Sequence, residues 1–332
     1  MNRAIDTGYG WTKFSTGDAT RGAGGVEVPT SAFQSLPFEA RSGLDAAGME
    51  RRPNTIALQV DGVNYVVSDD PAPIAPQEST RVRGDKYTES SAYGICMAAA
   101  VKKMGIDRLD NLVVGTPVGN FDSAKAALHH RYNADIIFDD QRILIKRLHV
   151  IAQPVGGLVW HYLSNGKPDL NRHPRLLVDV GYGTLDWVAA QGLTTNIERS
   201  GSRKLGVFKF IEKIAREVAG ENANVSENLW LTDAIDKLLS SDKALEFGGV
   251  KWQRHMFAPI LEKIAVEGVQ QIIASAGDVR MFTSVVVMGG GGHLYVEALK
   301  KAFAPIPVDV VPDARFANVR GFQLIAEHQG RR

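Results

Sequence analysis

Short apolar runs ending in glycine turns alternate along this chain with longer stretches whose apolar positions recur at helical spacing. Residues 2–15 read as a β-hairpin around Gly8 and Gly10, and Ile56 to Val67 as a second hairpin closed by Asp61-Gly62. Residues 16–53, between the two, carry little pattern apart from Val26 to Pro29. Ser68 to Gly84, with Pro71, Pro73 and Pro76, reads as a long loop of the kind that is either functional or mobile. Helical spacing follows from Thr88 to Met104, then a buried strand from Leu112 to Pro117. A helix capped by Asp122 runs to Arg131, Ile143 to Ile151 is a strand, and Pro154 to Leu163 is a helix. The polar, turn-rich residues Ser164 to His173 make the best domain boundary.

Beyond that boundary, Leu176 to Asp186 is another glycine hairpin, and Thr194 to Arg199 a further strand. Val207 to Ala219 is a helix with Ile211, Ile214 and Val218 on one face, and Leu229–Leu239 and Trp252–Ala276 are helical too. Ser284 to Met288 is a β-branched strand running into four glycines at 289–292. A helix from His293 to Ala304, a strand from Val308 to Val311 and a helix from Ala317 to His328 complete the chain. Strands and helices alternate throughout, so the class is α/β.

Two of the hairpins repeat one pattern. Asp6-Thr7-Gly8-Tyr9-Gly10 and Asp179-Val180-Gly181-Tyr182-Gly183 agree at the aspartate, both glycines and the tyrosine. Copies about half a chain apart predict a duplicated domain with a ligand held between the copies. Positive φ is expected at Gly181 and Gly183, and bare glycine backbone lets N–H groups approach a phosphate.

Composition narrows the field. The 332 residues suffice for two domains, and 44% hydrophobic with 23% charged residues is the balance of a globular protein. A formal net charge of +1 argues against nucleic-acid binding driven by bulk charge. The single cysteine, Cys96, excludes an intramolecular disulfide and suits a reducing, cytoplasmic setting. No apolar leader is expected, because Asp6 and Gly8 come too early, and no membrane contact is expected.

Each chemical candidate has a plain structural alternative. Asp6 and Asp179, at the ends of buried strands, could face a Mg²⁺ through waters or simply close Asx-turns. As a matched pair they favour the ligand. Lys13, on the strand returning from the first turn, could reach back over the glycines to phosphate charge, or be a solvated edge-strand lysine. Gln153-Pro154 joins a strand to a helix, where glutamine can orient an attacking water or merely precede a helix-starting proline. Gly289 to Gly292 would let a ligand lie against bare backbone, and the considerable chain entropy of four consecutive glycines weighs against the alternative of a purely structural role. The eight histidines show no metal spacing. Ser200 to Lys204 reads as a solvated basic turn.

Taken in order, these motifs resemble the superfamily of actin, Hsp70 and the sugar kinases. Asp6 to Lys13 resembles its first phosphate motif and Gln153-Pro154-Val155-Gly156-Gly157 its first connecting motif. Asp179 to Asp186 is similar to the second phosphate motif, Val287 to Gly291 to the adenosine motif, and Ala317 to Phe322 to the second connecting motif. Within the superfamily the closest resemblance is to bacterial plasmid-segregation proteins of the ParM/StbA group, carried by the short length, Lys13 and Ala317-Asn318-Val319-Arg320-Gly321-Phe322.

The resemblance implies two RNase-H-like domains, at 1–165 with 313–332 returning to it and at 166–312, with ATP or ADP and Mg²⁺ in a cleft between them. Asp6 and Asp179 would hold the hydrated metal. Thr7, Gly8, Tyr9, Gly10 and Lys13, with Gly181, Tyr182, Gly183 and Thr184, would hold phosphates. Gln153 would place the lytic water, Gly289, Gly290 and Gly291 would flank the adenosine, and Asp186 would support the second hairpin. Gln153 stands where several relatives have glutamate and actin has glutamine, which leaves the hydrolysis rate open. The expected function is a slow ATPase that assembles head-to-tail into filaments, with a DNA-bound adaptor as partner and no direct nucleic-acid binding. The alternatives are a small-molecule kinase of the same superfamily and a nucleotide-dependent adaptor that does not polymerise. The kinase would need a substrate base near Gly115 to Asn120, where only Asp122 is at hand.

Overall fold

A computed structural model of the chain describes residues 1–22, 25–40, 54–76, 79–164, 173–192, 194–221, 224–241 and 243–331. Most of the expected boundary segment, 164–173, lies outside the described residues. The chain forms two compact units: Met1–Pro71 with Arg81–Leu170 and Arg315–Arg332, and Ala72–Thr80 with Asn171–Ala314.

In the first unit a five-stranded sheet runs in the spatial order Leu148–Ala152, Asn111–Thr116, Asn2–Thr7, Trp11–Ser15, Thr30–Gln34. Asn2–Thr7 pairs antiparallel with its hairpin partner, which pairs antiparallel with Thr30–Gln34; the other two pairings are parallel. The second unit repeats that plan. Its sheet runs Thr194–Arg203, Leu185–Gln191, Pro174–Val180, Ser284–Met288, Val308–Val310, again with a hairpin and a third antiparallel strand on one side and two parallel strands on the other. Numbered by chain position within each unit, both sheets read 3-2-1-4-5. The duplication expected from the repeated Asp-x-Gly-Tyr-Gly extends to the topology of the whole sheet.

Helices cover both faces. Ser91–Met104 starts where the Ser90 hydroxyl accepts from Tyr93 N–H and stops at Gly105 in the left-handed conformation. Its face packs with Ile5, Phe14, Leu112 and Val114 into one core. Burial pushes the Cys96 thiol in this helix up to about 12. It is expected to resist thiol reagents in the folded protein and to react after unfolding; rapid labelling of the native protein would contradict that burial.

On the opposite face of the sheet, Ala4 and Val113 pack against Val319, Phe322 and Ala326 of the helix Ala317–Gly330. That helix crosses Gln153–Ser164 with Gly321 against Gly156, where a methyl on Gly321 would overlap the Gly156 carbonyl oxygen. Gly157 N–H donates to Asn318 Oδ1 at 3.1 Å across the same crossing. In the second unit, Val207–Ala219, with Phe210, Ile211 and Ile214 inward, joins Leu229–Ser241, Ala258–Ala276 and Val296–Phe303 around one core. Among the described residues no helix is long and apolar enough to cross a membrane.

Several sequence expectations are corrected. The run Ile143 to Ile151 is two strands in different sheets, Gln141–Ile145 and Leu148–Ala152, parted at Lys146-Arg147. Thr30–Gln34, unread within 16–53, is an edge of the central sheet. Asp122 does not cap its helix; it lies exposed in the first turn, and the N-cap Asn120 makes no side-chain cap either. The helix expected from Trp252 starts at Ala258, because Val250–Trp252 pairs with Leu245–Phe247 and Pro259 favours the first helical turn. Ser200 to Arg203 closes the edge strand rather than forming a turn, and the Arg203 guanidinium lies 5.8 Å over the Trp187 ring.

Candidate functional site

In the first unit the carboxyl ends of the parallel strands bring Asp6, Lys13 and Gln153 together. Asp6 is 0% exposed, and its Oδ2 accepts from Lys13 Nζ at 2.8 Å while its Oδ1 accepts from Gln153 Nε2 at 2.6 Å. Lys13 is the register partner of Asp6 across the hairpin, so strand pairing alone sets the two side chains on one face. The Asx-turn alternative for Asp6 therefore gives way to an ion pair. Lys13 is no solvated edge residue either: Trp11–Ser15 lies inside the sheet, and the Lys13 side chain is 16% exposed.

The bond to Asp6 also orients Gln153. A carboxylate paired with an ammonium only accepts hydrogen bonds, so the glutamine must present its NH₂, and its Oε1 is directed elsewhere. Gly115 makes room for this, since a β-carbon there would lie 2.9 Å from Gln153 Cγ.

The first glycine turn is closed by Gly8 N–H donating to Trp11 O at 3.1 Å. Tyr9 turns away from the hairpin strands: its ring packs 4.9 Å from that of Tyr87, and its hydroxyl donates to Gly84 O at 3.0 Å. Tyr87 returns a hydrogen bond to Gly8 O at 3.3 Å. Within the stretch read as a proline-rich loop, residues 81–84 are thus seated on the turn, and Arg81 donates to Gln34, the register partner of Trp11. Arg315 stacks its guanidinium 3.7 Å over the Trp11 ring. Sequence reasoning missed Arg81, Tyr87 and Arg315, because nothing periodic ties them to the turn.

The second unit carries the matching turn, closed by Gly181 N–H donating to Thr184 O at 2.9 Å. Each closing bond spans three residues from the first glycine of its motif. Neither Gly181 nor Gly183 is among the glycines at positive φ, contrary to expectation; the left-handed glycine here is Gly289, at φ 83°. What the turn needs is bare backbone. The first amides of the helix Val207–Ala219 donate to the turn, Val207 to Gly181 O at 3.0 Å and Phe208 to Tyr182 O at 2.7 Å. Gly206, unread in the sequence, makes that approach possible: a β-carbon on it would lie 2.5 Å from Thr184 N. Its signal was a glycine directly before a strongly amphipathic helix, which is also a common capping feature.

Asp179, 4% exposed, ends the strand Pro174–Val180, and its register partner across the hairpin is Asp186, 1% exposed. Thr184 Oγ1 donates to Asp186 Oδ2 at 2.5 Å, which ties the turn to that strand. Where the first hairpin sets a lysine opposite its aspartate, the second sets another carboxylate. Gly289 follows the strand Ser284–Met288 and lies against the Asp179 carboxylate, leaving no space for a side chain. Gly291 N–H donates to Val180 O at 3.0 Å, and Gly290 is exposed at the tip of the turn. Gly289, Gly290 and Gly291 are thus brought beside Asp179, Gly181, Tyr182, Gly183 and Thr184 within one unit.

Comparison with known proteins agrees with this duplicated plan. The family described as Actin like proteins N terminal domain matches residues 4–156. The family described as Archaeal actin homologue MreB-like, C-terminal, matches residues 177–301. Among curated proteins none matches the chain. The structure of the archaeal actin homologue Ta0583 in complex with ADP is similar at 23% identity and TM-score 0.75, covering 98% of this chain and 99% of that one. A 15-stranded ParM filament from Clostridium botulinum is similar at 18% identity and TM-score 0.72, over 99% of this chain and 100% of that one. The non-polymerisable quadruple mutant of pCBH ParM is similar at 18% identity and TM-score 0.74, over 98% of each chain. With one actin-like family match on each sheet, on either side of residues 157–176, and similar solved structures overlapping nearly end to end, the chain has the two-domain fold of the actin-like proteins.

Proposed function

We propose that this protein is an ATPase that assembles into filaments when ATP is bound. The observation that carries the reading is the pair of matched aspartate–glycine turns on matched sheets, one with Asp6 set between Lys13 and Gln153. Backbone at Thr7 to Gly10 and at Gly181 to Thr184, with Lys13, would hold the phosphates; Gly289 to Gly291 would lie along the adenosine.

Mg²⁺ would come with the nucleotide. Both Asp6 oxygens already accept hydrogen bonds from protein, so Asp6 suits the outer shell of an ion that keeps most of its waters. Asp179, with the carboxylate of Asp186 as its register partner, sets two acidic side chains side by side at the end of the strand, the kind of oxygen-rich setting that a divalent cation favours. The ion would offset phosphate charge, and Gln153 Oε1 would accept from the water aligned on the terminal phosphate.

Filaments as the assembled form find support in the ParM filament relative. The biological role favoured by the resemblance is plasmid segregation in the cytoplasm, with a DNA-bound adaptor. The deciding experiment is sedimentation and light scattering with ATP, with ADP and without nucleotide, alongside phosphate release. Pelletable polymer is expected with ATP and its loss as phosphate is released. Soluble monomer under all three conditions at high protein concentration would replace the filament reading with that of a nucleotide-dependent adaptor.

A further inference from the structure

We propose that the hydroxyl of Thr116 is a ligand-facing group of the phosphate site, placed for the terminal phosphate; this rests on the nucleotide reading above. Thr116 ends the central strand Asn111–Thr116, and its register partner is Ala152, the residue directly before Gln153. On the other side, the parallel register Ala4↔Val113 and Ile5↔Val114 carries Asp6 and Thr7 to the level of Gly115 and Thr116. Thr116 therefore stands in one row with Thr7 and Ala152 at the carboxyl edge of three parallel strands, the edge at which open α/β sheets take their ligands.

The residue is 0% exposed, and its Oγ1 has no hydrogen-bond partner. Three other described residues, Thr88, Tyr93 and Tyr132, also bury a hydroxyl in that state, but they belong to helices or a helical turn, whereas Thr116 ends a sheet strand. A buried hydroxyl left unpaired costs stability, and valine would fill the same shape without that cost. The nucleotide-free fold thus gains nothing from the oxygen of Thr116. An oxyanion arriving at this edge would, because a hydroxyl donating to a charged acceptor makes one of the stronger hydrogen bonds available to a protein.

Thr116→Val and Thr116→Ser separate this role from packing. Thr116→Val is expected to melt no lower than wild type without nucleotide, to bind ADP as wild type does, and to bind ATP roughly 10- to 100-fold more weakly. Thr116→Ser, which restores the hydroxyl, is expected to regain ATP affinity. Titration calorimetry with both nucleotides reads the comparison. Wild-type ATP affinity and turnover in Thr116→Val would overturn the assignment, as would equal losses for ATP and ADP together with a lowered melting temperature. Wild-type protein that binds neither nucleotide would instead remove the nucleotide reading itself, and this inference with it.

Discussion

Asp179→Asn is expected to lower ATP turnover by roughly 10²- to 10³-fold while leaving the fold in place, the usual cost of removing one positioned charge from an active site. The substitution keeps the volume of a side chain that is 4% exposed and pressed on by Gly289, so packing is conserved while the charge is removed and one accepting oxygen becomes an NH₂ donor. That charge faces the second carboxylate, Asp186, across the hairpin, where a divalent cation would be drawn and where an amide would draw it far less. Phosphate release under saturating ATP measures the effect, with the far-ultraviolet spectrum as the check on folding. A folded variant that hydrolyses ATP at the wild-type rate would remove Asp179 from the site.

The largest loss of stability is expected from Gly321→Ala, on the order of 3 kcal/mol, which lowers the melting temperature by about 6–12 °C. Helices packed through ordinary side chains lie about 8–10 Å apart, and a glycine contact lets them come closer. Here a methyl on Gly321 would meet backbone, the Gly156 carbonyl, rather than the end of a flexible side chain. Relief would require Ala317–Gly330 to slide on Gln153–Ser164, and Phe322 is wedged there between Gly115 and Gly156. Because Gln153 begins the second of these helices, its bond to Asp6 is expected to loosen in the same variant, and turnover to fall with stability. Gly62→Ala, where the added β-carbon meets nothing within 4 Å but φ is 80°, is the control for strain without collision. A Gly321→Ala protein melting at or above Gly62→Ala would contradict the tight crossing.

How much could be read in advance depended on how far apart the interacting residues lie in the chain. The duplicated turn was legible because its chemistry is local: aspartate, glycine, tyrosine and glycine at fixed offsets, each on an apolar run. Lys13 was legible for the same reason, since seven positions along a tight hairpin return a side chain to its starting level. Thr30–Gln34 was not, because Thr-Ser-Ala-Phe-Gln alternates weakly and becomes a strand only by pairing with Trp11–Ser15. Ile143 to Ile151 misled for the opposite reason. Its apolar character is continuous, and only the change of partner strand at Lys146-Arg147 divides it.

By itself, the sequence determined the α/β class and the internal repeat, and singled out the candidate site residues, because backbone torsions and hydrophobic period are set within a few residues. Tertiary structure decided what those residues do to one another. Gln153 lies 147 positions from the carboxylate that orients it. Gly206 matters only for the turn backbone it lies against, and Gly321 only for the carbonyl of Gly156. Such contacts arise when packed sheets and helices bring distant backbone within van der Waals reach, and no local pattern encodes them.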